Sequence, residues 1–380
     1  MGTLNFQNIQ VGVLGGGQLG RMLLQAGLDF NISFKVLDPS PDAPCANMGP
    51  FSVGSLTDFD TVMEFGKSCD LLTIEIENVN TQALKELVKQ GKQVYPQPEI
   101  IEMIQDKRKQ KSFYKTHNLP CSDFILVDGK KDVLQNKTFL PAVFKLGKEG
   151  YDGRGVQVLR SEEALEHVFD APGVLEKLID IDKEISILVA RNVSGDIVSY
   201  PPVEMVFHAD QNLVEYLFAP AEIPMAITKE ATMLARKIIG DLKMVGVLAV
   251  EFFVTKEGKI LINEIAPRPH NSGHHTIEAN VTSQYEQHLR SILNFPLGRT
   301  DSTMASAMVN LLGEPGYNGI ALYRGMEAIL KISGVHVHLY GKKDTKPYRK
   351  MGHVTILDSK PDSLKEKVAL VKGTLKVICQ

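Results

Sequence analysis

Glu251 and Glu264 are the residues around which chemistry can most readily be built. They sit in two apolar runs, residues 246–254 and 259–265, which flank the turn Lys256-Glu257-Gly258 and together read as a β-hairpin. With the turn centred on Glu257-Gly258, one glutamate lies six residues before that centre and the other six after it, directly opposite. Alternation then puts Phe253 and Ile262 on the glutamate face and Val250, Phe252 and Leu261 on the other, so the hairpin is apolar on both faces and expected to be buried. Like charges directly opposite are destabilising, and a buried unpaired carboxylate is costlier still, so a cation is expected between them. Hard carboxylate oxygens that share a cation with substrate phosphates are the chemistry of magnesium. The competing reading is a solvated hairpin face or a register shifted by one residue. Asn271, just beyond Arg268 and His270, offers a further oxygen.

Lys145 ends the apolar run Ala142-Val143-Phe144 and precedes a glycine-rich stretch, GKEGYDGRG at 147–155. A lysine at a strand end, beside a loop too rich in glycine to hold one shape, suits a phosphate clamp under a lid. No Gly-Lys-Ser/Thr follows, so this is not a Walker A loop, and a hairpin connection with a solvated lysine is the plain alternative. Glu176 and Glu184 each border an apolar run, where a carboxylate can accept ribose hydroxyl protons; singly, each also suits a surface acid. A second cluster, Gly15-Gly16-Gly17-Gln18-Leu19-Gly20, follows an apolar run and opens a helical one, with Asp38 closing the next run. That spacing suits a dinucleotide pyrophosphate, but a tight strand-to-helix turn needs the same glycines with no ligand.

These groups need more than one scaffold. Strand signals at 9–14, 33–37 and 70–76 alternate with helix signals at 18–28, 57–65 and 81–90, the order of a parallel sheet with crossover helices. A charged helical stretch over 98–115 closes at Asn118-Leu119-Pro120. From 139 onward short strands at 143–145, 156–159, 184–191 and 196–206, with helices at 162–169 and 229–242, indicate an α+β unit with antiparallel pairing. The tail carries strand signals at 329–332, 335–340 and 354–357 and a helix at 363–371. The fold class is therefore α/β and α+β: a Rossmann-like parallel-sheet domain over 1–105, a central domain over 106–300 and a small β-rich C-terminal domain over 301–380.

Composition narrows the function classes. With 42 Lys+Arg against 45 Asp+Glu the net charge is -3, so no global positive field gathers nucleic acid or an anionic membrane. The 43% hydrophobic and 23% charged content of the 380 residues excludes a disordered or collagen-like chain. Cys45, Cys69, Cys121 and Cys379 form no Cys-x-x-Cys pair, so neither a zinc site nor a disulfide framework is expected. No run approaches the roughly 18 apolar residues of a membrane span. The first ten residues lack a signal region, and Phe6 stands where a myristoylation signal needs Ser or Thr. A soluble cytoplasmic protein is expected.

Four motifs together resemble one family over nearly the whole chain: GGGQLGRM at 15–22, GYDGRG at 150–155, NEIAPRPHNSGH at 263–274, and YGK at 340–342 followed by RKMGH at 349–353. They resemble the ATP-grasp enzymes and, within them, the ATP-dependent 5-(carboxyamino)imidazole ribonucleotide synthase family of purine synthesis. The resemblance implies an ATP-grasp central domain, ATP and Mg2+ as cofactors, and a homodimer. It assigns Lys107 and Lys145 to the ATP phosphates, Glu176, Lys177, Leu178 and Ile179 to the adenine, Glu184 to the ribose, and His208, Asn263 and Glu264 to the nucleotide's surroundings. Gly150, Tyr151, Asp152, Gly153, Arg154 and Gly155 would close over the nucleotide. Glu251 and Glu264 match the metal ligands. Arg268, His270 and Asn271 fall where bicarbonate and the transferred phosphate meet. Tyr151, Asp152, Arg154, Lys342 and Arg349 match the aminoimidazole ribonucleotide site, with Asp152, Arg268, His270 and Lys342 as candidate catalytic residues. Two positions depart from the pattern: Lys107 replaces an arginine, losing its bidentate fork, and Glu149 replaces a glycine. The rival readings are a formate-using relative acting on glycinamide ribonucleotide, a nicotinamide-dependent dehydrogenase and a non-catalytic nucleotide-binding protein.

Overall fold

The apolar runs of the first hundred residues pair side by side, as their alternation with amphipathic helices requires. A computed structural model describes residues 9–148, 155–208 and 213–380. Strands β1 (Gln10–Leu14), β2 (Ser33–Asp38), β3 (Phe51–Val53), β4 (Leu71–Ile74) and β5 (Gln93–Val94) form a parallel sheet ordered β3-β2-β1-β4-β5. Helices Gln18–Leu28, Phe59–Lys67 and Thr81–Lys89 provide the crossovers, the last two started by Asp58 and Asn80, whose side chains accept backbone N–H bonds from Thr61 and Ala83. The neighbouring ends of β1 and β4 deliver Gly15 and Glu75 to one edge of the sheet.

The charged stretch expected as a single helix over 98–115 is two, Pro98–Ile104 and Lys107–Thr116. Asp106 breaks it, because its carboxylate accepts from the Arg108 N–H and starts a new helix. That restart sends Lys107 and, one turn later, Lys111 towards the centre of the molecule, where both are paired with glutamates.

An antiparallel sheet follows, β6 (Phe124–Val127), β7 (Ala142–Leu146), β8 (Val156–Leu159) and β9 (Gly173–Lys177), ordered β6-β9-β7-β8. Residues 178–180 then lead into β10 (Ile181–Arg191) of a second sheet. Here β11 (Ile197–Ser199), β12 (Val203–Phe207), β13 (Val214–Ala219), β14 (Gly246–Thr255) and β15 (Ile260–Ala266) give the order β15-β14-β10-β12-β13, with β11 beside β10. The run expected over 196–206 is interrupted between β11 and β12 at Pro201-Pro202, which have no N–H to donate. Helix Met225–Leu242 packs Ile227, Ala231, Ala235, Ile238 and Ile239 onto Val250, Phe252 and Ile262. Each such fully buried Ile, Val or Phe contributes roughly 1.5–3 kcal/mol.

The tail does not build its main sheet separately. β16 (Ser306–Leu312) pairs with β13, and the central sheet continues through β20 (Lys350–Leu357) to β18 (Val335–Leu339). β17 (Gly319–Arg324), β19 (Asp344–Thr345) and β21 (Lys376–Cys379) form a small second sheet. The strand expected at 329–332 is absent: a helical turn, Met326–Ile329, entered through Gly325 at φ 87, occupies its start and buries Ile329 in the tail's core, and a turn leads from it to β18.

Candidate active site

The hairpin sets the two central glutamates opposite each other, Glu251 pairing with Glu264. It reaches that pairing by two compensating departures. The turn is half a residue earlier than expected, with Thr255 N–H donating to the Lys259 carbonyl and Phe253 facing Leu261. A bulge at Asn263 then adds one residue to β15 and restores the register at Glu264. The earlier turn itself sets Ile262 opposite Phe252, in the core under the helix, and not on the glutamate face beside Phe253 as expected.

Lysines from two elements converge on this face. Lys107 Nζ lies 2.8 Å from Glu264 Oε2. Lys145, at the end of β7, donates to the bulged Asn263 Oδ1 at 2.9 Å and lies 3.3 Å from Glu176 Oε1. Beneath it, Lys111 Nζ and Ser122 Oγ both donate to Glu176 Oε2, at 3.0 and 2.5 Å, with all three residues buried. Lys177 donates to the carbonyls of Phe139 and Leu140, while Leu178 N–H donates to Pro141.

Three ammonium groups, Lys107, Lys111 and Lys145, thus meet four carboxylates, Glu176, Glu184, Glu251 and Glu264. Burial, then the charges of Glu264 and Glu184, keep the Glu251 carboxyl well above its ordinary range. Glu264 opens onto the cleft, with 43% of its side chain exposed against 12% for Glu251, and Lys107 holds it ionised against the effect of burial. Burial also works against the Lys107 ammonium, yet Glu264, Glu176 and Glu251 outweigh it and raise its pKa. Glu176 is drawn down to about 2: burial opposes this, but Lys145 and Lys111 prevail. Burial lifts Glu184 to about 7.

The donor set fits magnesium of the kind held jointly by protein and nucleotide. Among the described residues no group of three or more His, Cys, Asp or Glu is arranged to cage a metal. Two opposed carboxylates match an ion that takes one or two carboxylates and completes its shell with phosphates and water.

The Glu184 shift has a measurable consequence. Its folded-state pKa lies above its unfolded value of about 4.5, so the folded protein binds the extra proton and stability falls as pH rises from about 4.5 through about 7. Removing the ligand-free protein's Glu184 charge by Glu184→Gln is expected to remove that loss. Between pH 5 and 8 the wild type should lose roughly 2–4 °C of melting temperature relative to the variant. Parallel melting curves across this range would count against the assignment.

Beyond β15 the chain crosses to the other sheets. Arg268 Nε lies 2.9 Å from Glu77 Oε1 of the first domain. His270 Nε2 lies 3.7 Å from Glu251 Oε1, and its Nδ1 is 2.9 Å from Ser272 Oγ. Asn271 and Asn310 of β16 exchange two amide hydrogen bonds of 2.8 and 3.0 Å. The three residues thus join the hairpin to the first domain and the tail.

The glycine loop at 15–20 has its anion supplied by the chain itself. Glu75 Oε2 accepts from the N–H groups of Leu19 and Gly20, and Asp38 accepts from Gly16. A Cβ on Gly17 would stand 2.3 Å from Glu75 Oε1, so the glycine makes room for a carboxylate. A dinucleotide pyrophosphate would have to displace both acids, which removes the support for the nicotinamide reading. Close by, Tyr340 packs with Leu23 and Tyr285, and Lys343 pairs with Asp42, so the tail motif reaches the same edge of the first sheet. Lys342 donates to the Lys350 carbonyl at 2.7 Å and Arg349 to that of Asp344 at 2.6 Å. The His208 ring packs edge-on against Tyr348, beside Arg349.

Gly150, Tyr151, Asp152, Gly153 and Arg154 lie outside the described residues, whereas Gly155 is placed at φ 74 with its carbonyl bonded to Leu146 N–H. Sequence reasoning missed Lys111, Ser122, Glu75, Glu77 and Asn310. Only Lys111 had a local signal, its four-residue spacing from Lys107 on one helix face.

Comparison with known proteins places the chain. Residues 9–105 match the ribonucleotide synthetase preATP-grasp domain, 112–285 the ATP-grasp domain and 306–367 the phosphoribosylaminoimidazole carboxylase C-terminal domain. The N5-carboxyaminoimidazole ribonucleotide synthetase of Thermotoga maritima superposes with a TM-score of 0.91 at 39% identity, covering 98% of this chain and 100% of that one. An Aspergillus clavatus N5-carboxyaminoimidazole synthase, solved with ADP and 5-aminoimidazole ribonucleotide, has a TM-score of 0.87 at 31% identity, covering 97% and 99%. The chloroplastic phosphoribosylaminoimidazole carboxylase of Vigna aconitifolia is 39% identical over 96% of this chain, but the chain spans only 66% of that protein. With its glutamate hairpin, its lysines and its three matched domains, the chain belongs to the N5-carboxyaminoimidazole ribonucleotide synthase family of ATP-grasp ligases.

Proposed function

We propose that this chain uses ATP and bicarbonate to carboxylate the exocyclic amine of 5-aminoimidazole ribonucleotide in purine synthesis. The observation that carries the reading is the facing Glu251–Glu264 pair, with Lys107 on Glu264, Lys145 on the adjoining Asn263 and His270 Nε2 3.7 Å from Glu251. A bicarbonate oxygen attacks the γ-phosphorus of ATP, releasing ADP and forming carboxyphosphate. The amine then takes the carboxyl group, and phosphate leaves with the attacking oxygen.

Magnesium held by Glu251, Glu264 and the nucleotide phosphates would supply charge neutralisation for phosphoryl transfer. With Glu264 committed there, Lys107 is released from its ion pair to join Lys145 on the phosphates. The carboxylate of Glu176 is engaged by lysines, so backbone and apolar flanks of residues 176–179 meet the adenine, while Glu184 accepts from the ribose. Residues 150–155 close over the phosphates and, through Tyr151, Asp152 and Arg154, meet the ribonucleotide, whose phosphate pairs with Lys342 and Arg349. The domain limits at 105 and 300 and a homodimer complete the reading.

Oxygen-18 tests it. Label from bicarbonate is expected in the released phosphate, provided the reaction outruns exchange of bicarbonate with water, and formate should not substitute. Unlabelled phosphate from a bicarbonate pool that demonstrably kept its label would refute carboxyphosphate. A separate expectation concerns the tail: Arg349→Ala should weaken ribonucleotide binding by about 1.5–3 kcal/mol, the scale of a charge-assisted hydrogen bond, and leave ATP affinity nearly unchanged. Calorimetric titrations that lose both ligands equally would make Arg349 structural.

A further inference from the structure

We propose that Ser272 and Ser186 are positioning residues that hold His270 as its Nε2–H tautomer, so that it meets the reacting oxygens as a hydrogen-bond donor; this role rests on the function proposed above. The direction of each hydrogen bond follows from one fixed donor. The backbone N–H of Ser272 lies 3.4 Å from His270 Nδ1 and can only donate, so that nitrogen presents its lone pair. Ser272 Oγ, 2.9 Å from the same nitrogen, must then donate as well. Its hydrogen spent, Ser272 Oγ is left to accept from Ser186 Oγ at 2.8 Å. With Nδ1 an acceptor, the single ring proton resides on Nε2, the nitrogen that faces Glu251 at 3.7 Å.

The relay is built into the scaffold. Ser186 and Ser272 are 1% and 2% exposed, so bulk water does not compete for their hydroxyls. Ser186 is the cross-strand partner of Glu251, which starts the relay on the strand beside the metal-binding carboxylate. The His270 backbone is held independently: its N–H donates to Gln284 Oε1 and its carbonyl accepts from Gln284 Nε2, both at 2.8 Å, and Gln284 is fully buried. Position and tautomer are thus set by separate residues. A fixed Nε2–H stabilises negative charge on an oxygen before it and cannot remove a proton from it. That suits bicarbonate, whose attacking oxygen is already anionic and needs orientation more than deprotonation.

The test combines a spectroscopic and a kinetic readout. In substrate-free protein carrying 15N-histidine, with His270 assigned by its loss in His270→Gln, a pyridine-type Nδ1 and a pyrrole-type Nε2 are expected. Ser272→Ala keeps the long backbone N–H contact at 3.4 Å but loses the closer hydroxyl donor at 2.9 Å, so the shifts should move partway towards the tautomer average, with a kcat lower by roughly five- to tenfold, the loss of one hydrogen bond, and KM for ATP within about twofold. Ser272→Cys, a weaker donor of similar size, should fall between the two. If Ser272→Ala does not fold, Ser186→Ala is measured in its place and should shift the same signals in the same direction. A pyrrole-type Nδ1 in the wild type overturns the proposal, and so does a loss confined to KM or a variant with unchanged shifts or unchanged kcat. Wild-type protein without ribonucleotide-dependent turnover would sink the proposed function instead, while leaving the nitrogen shifts to decide the tautomer.

Discussion

Glu251→Gln and Glu264→Gln are expected to lose magnesium-dependent ATP cleavage alike, by about 10²–10³ in kcat, the scale of removing one charge-stabilising group from a transition state. Their stabilities should differ. Glu251 is the less exposed of the two, and burial together with the charges of Glu264 and Glu184 raises its pKa, so Gln removes a charge that the ligand-free site disfavours. Its melting temperature should equal or exceed the wild type. Glu264 neutralises Lys107, and Gln there leaves an ammonium with less compensation. Because this pair is partly open to the cleft, the cost should be on the order of 1 kcal/mol and not the several of a closed site. The sequence alone suggests that removing either like charge stabilises the apo protein; the Lys107 contact confines that expectation to Glu251. Melting curves without ligand, together with ATP cleavage at saturating magnesium, check both halves. Full turnover in Glu264→Gln would sink the metal assignment, and equal destabilisation of the two variants would contradict the division of charge between them.

What was legible in the chain was local. The hairpin could be read because two apolar runs and a glycine turn lie within twenty residues, and the glutamate pairing survived a misplaced turn centre only because the bulge at Asn263 compensated it. The break at Asp106 hid because a helix-capping aspartate also reads as one more charge in a charged helix. Glu75 was invisible for a different reason: it reaches the glycine loop across 55 residues, and only the adjacency of β1 and β4 brings it there. Strand-end positions and the family resemblance both pointed to Lys145, Glu176 and Glu184 as candidate nucleotide contacts, but not to Glu176 as first a partner for two lysines.

Lys111→Met is expected to be the most destabilising single change in the site, about 3–5 kcal/mol, because it removes one partner of a closed ion pair. Lys111 and Glu176 side chains are 3% and 4% exposed, and Ser122 beside them is also buried. Methionine fills the lysine's volume, so the loss reports charge and hydrogen bonding more than a cavity. Lys145 remains 3.3 Å from Glu176, but it also serves Asn263 and, on the proposed function, the nucleotide phosphates. The pH dependence carries a second signature. Glu176 is held down at about 2 against an unfolded value near 4.5, so its contribution is fully present above pH 4.5 and is lost as pH falls towards 2. Lys111→Met should raise the Glu176 pKa and flatten that acid limb. Adding Glu176→Gln to Lys111→Met should cost less than the sum of the single changes, since each alone strands the other's charge, with a coupling of roughly 0.5–3 kcal/mol. Urea unfolding of the two single variants and the double variant measures this directly. A Lys111→Met cost below about 1 kcal/mol, or strictly additive losses, would mean that Ser122 and Lys145 satisfy Glu176 without it.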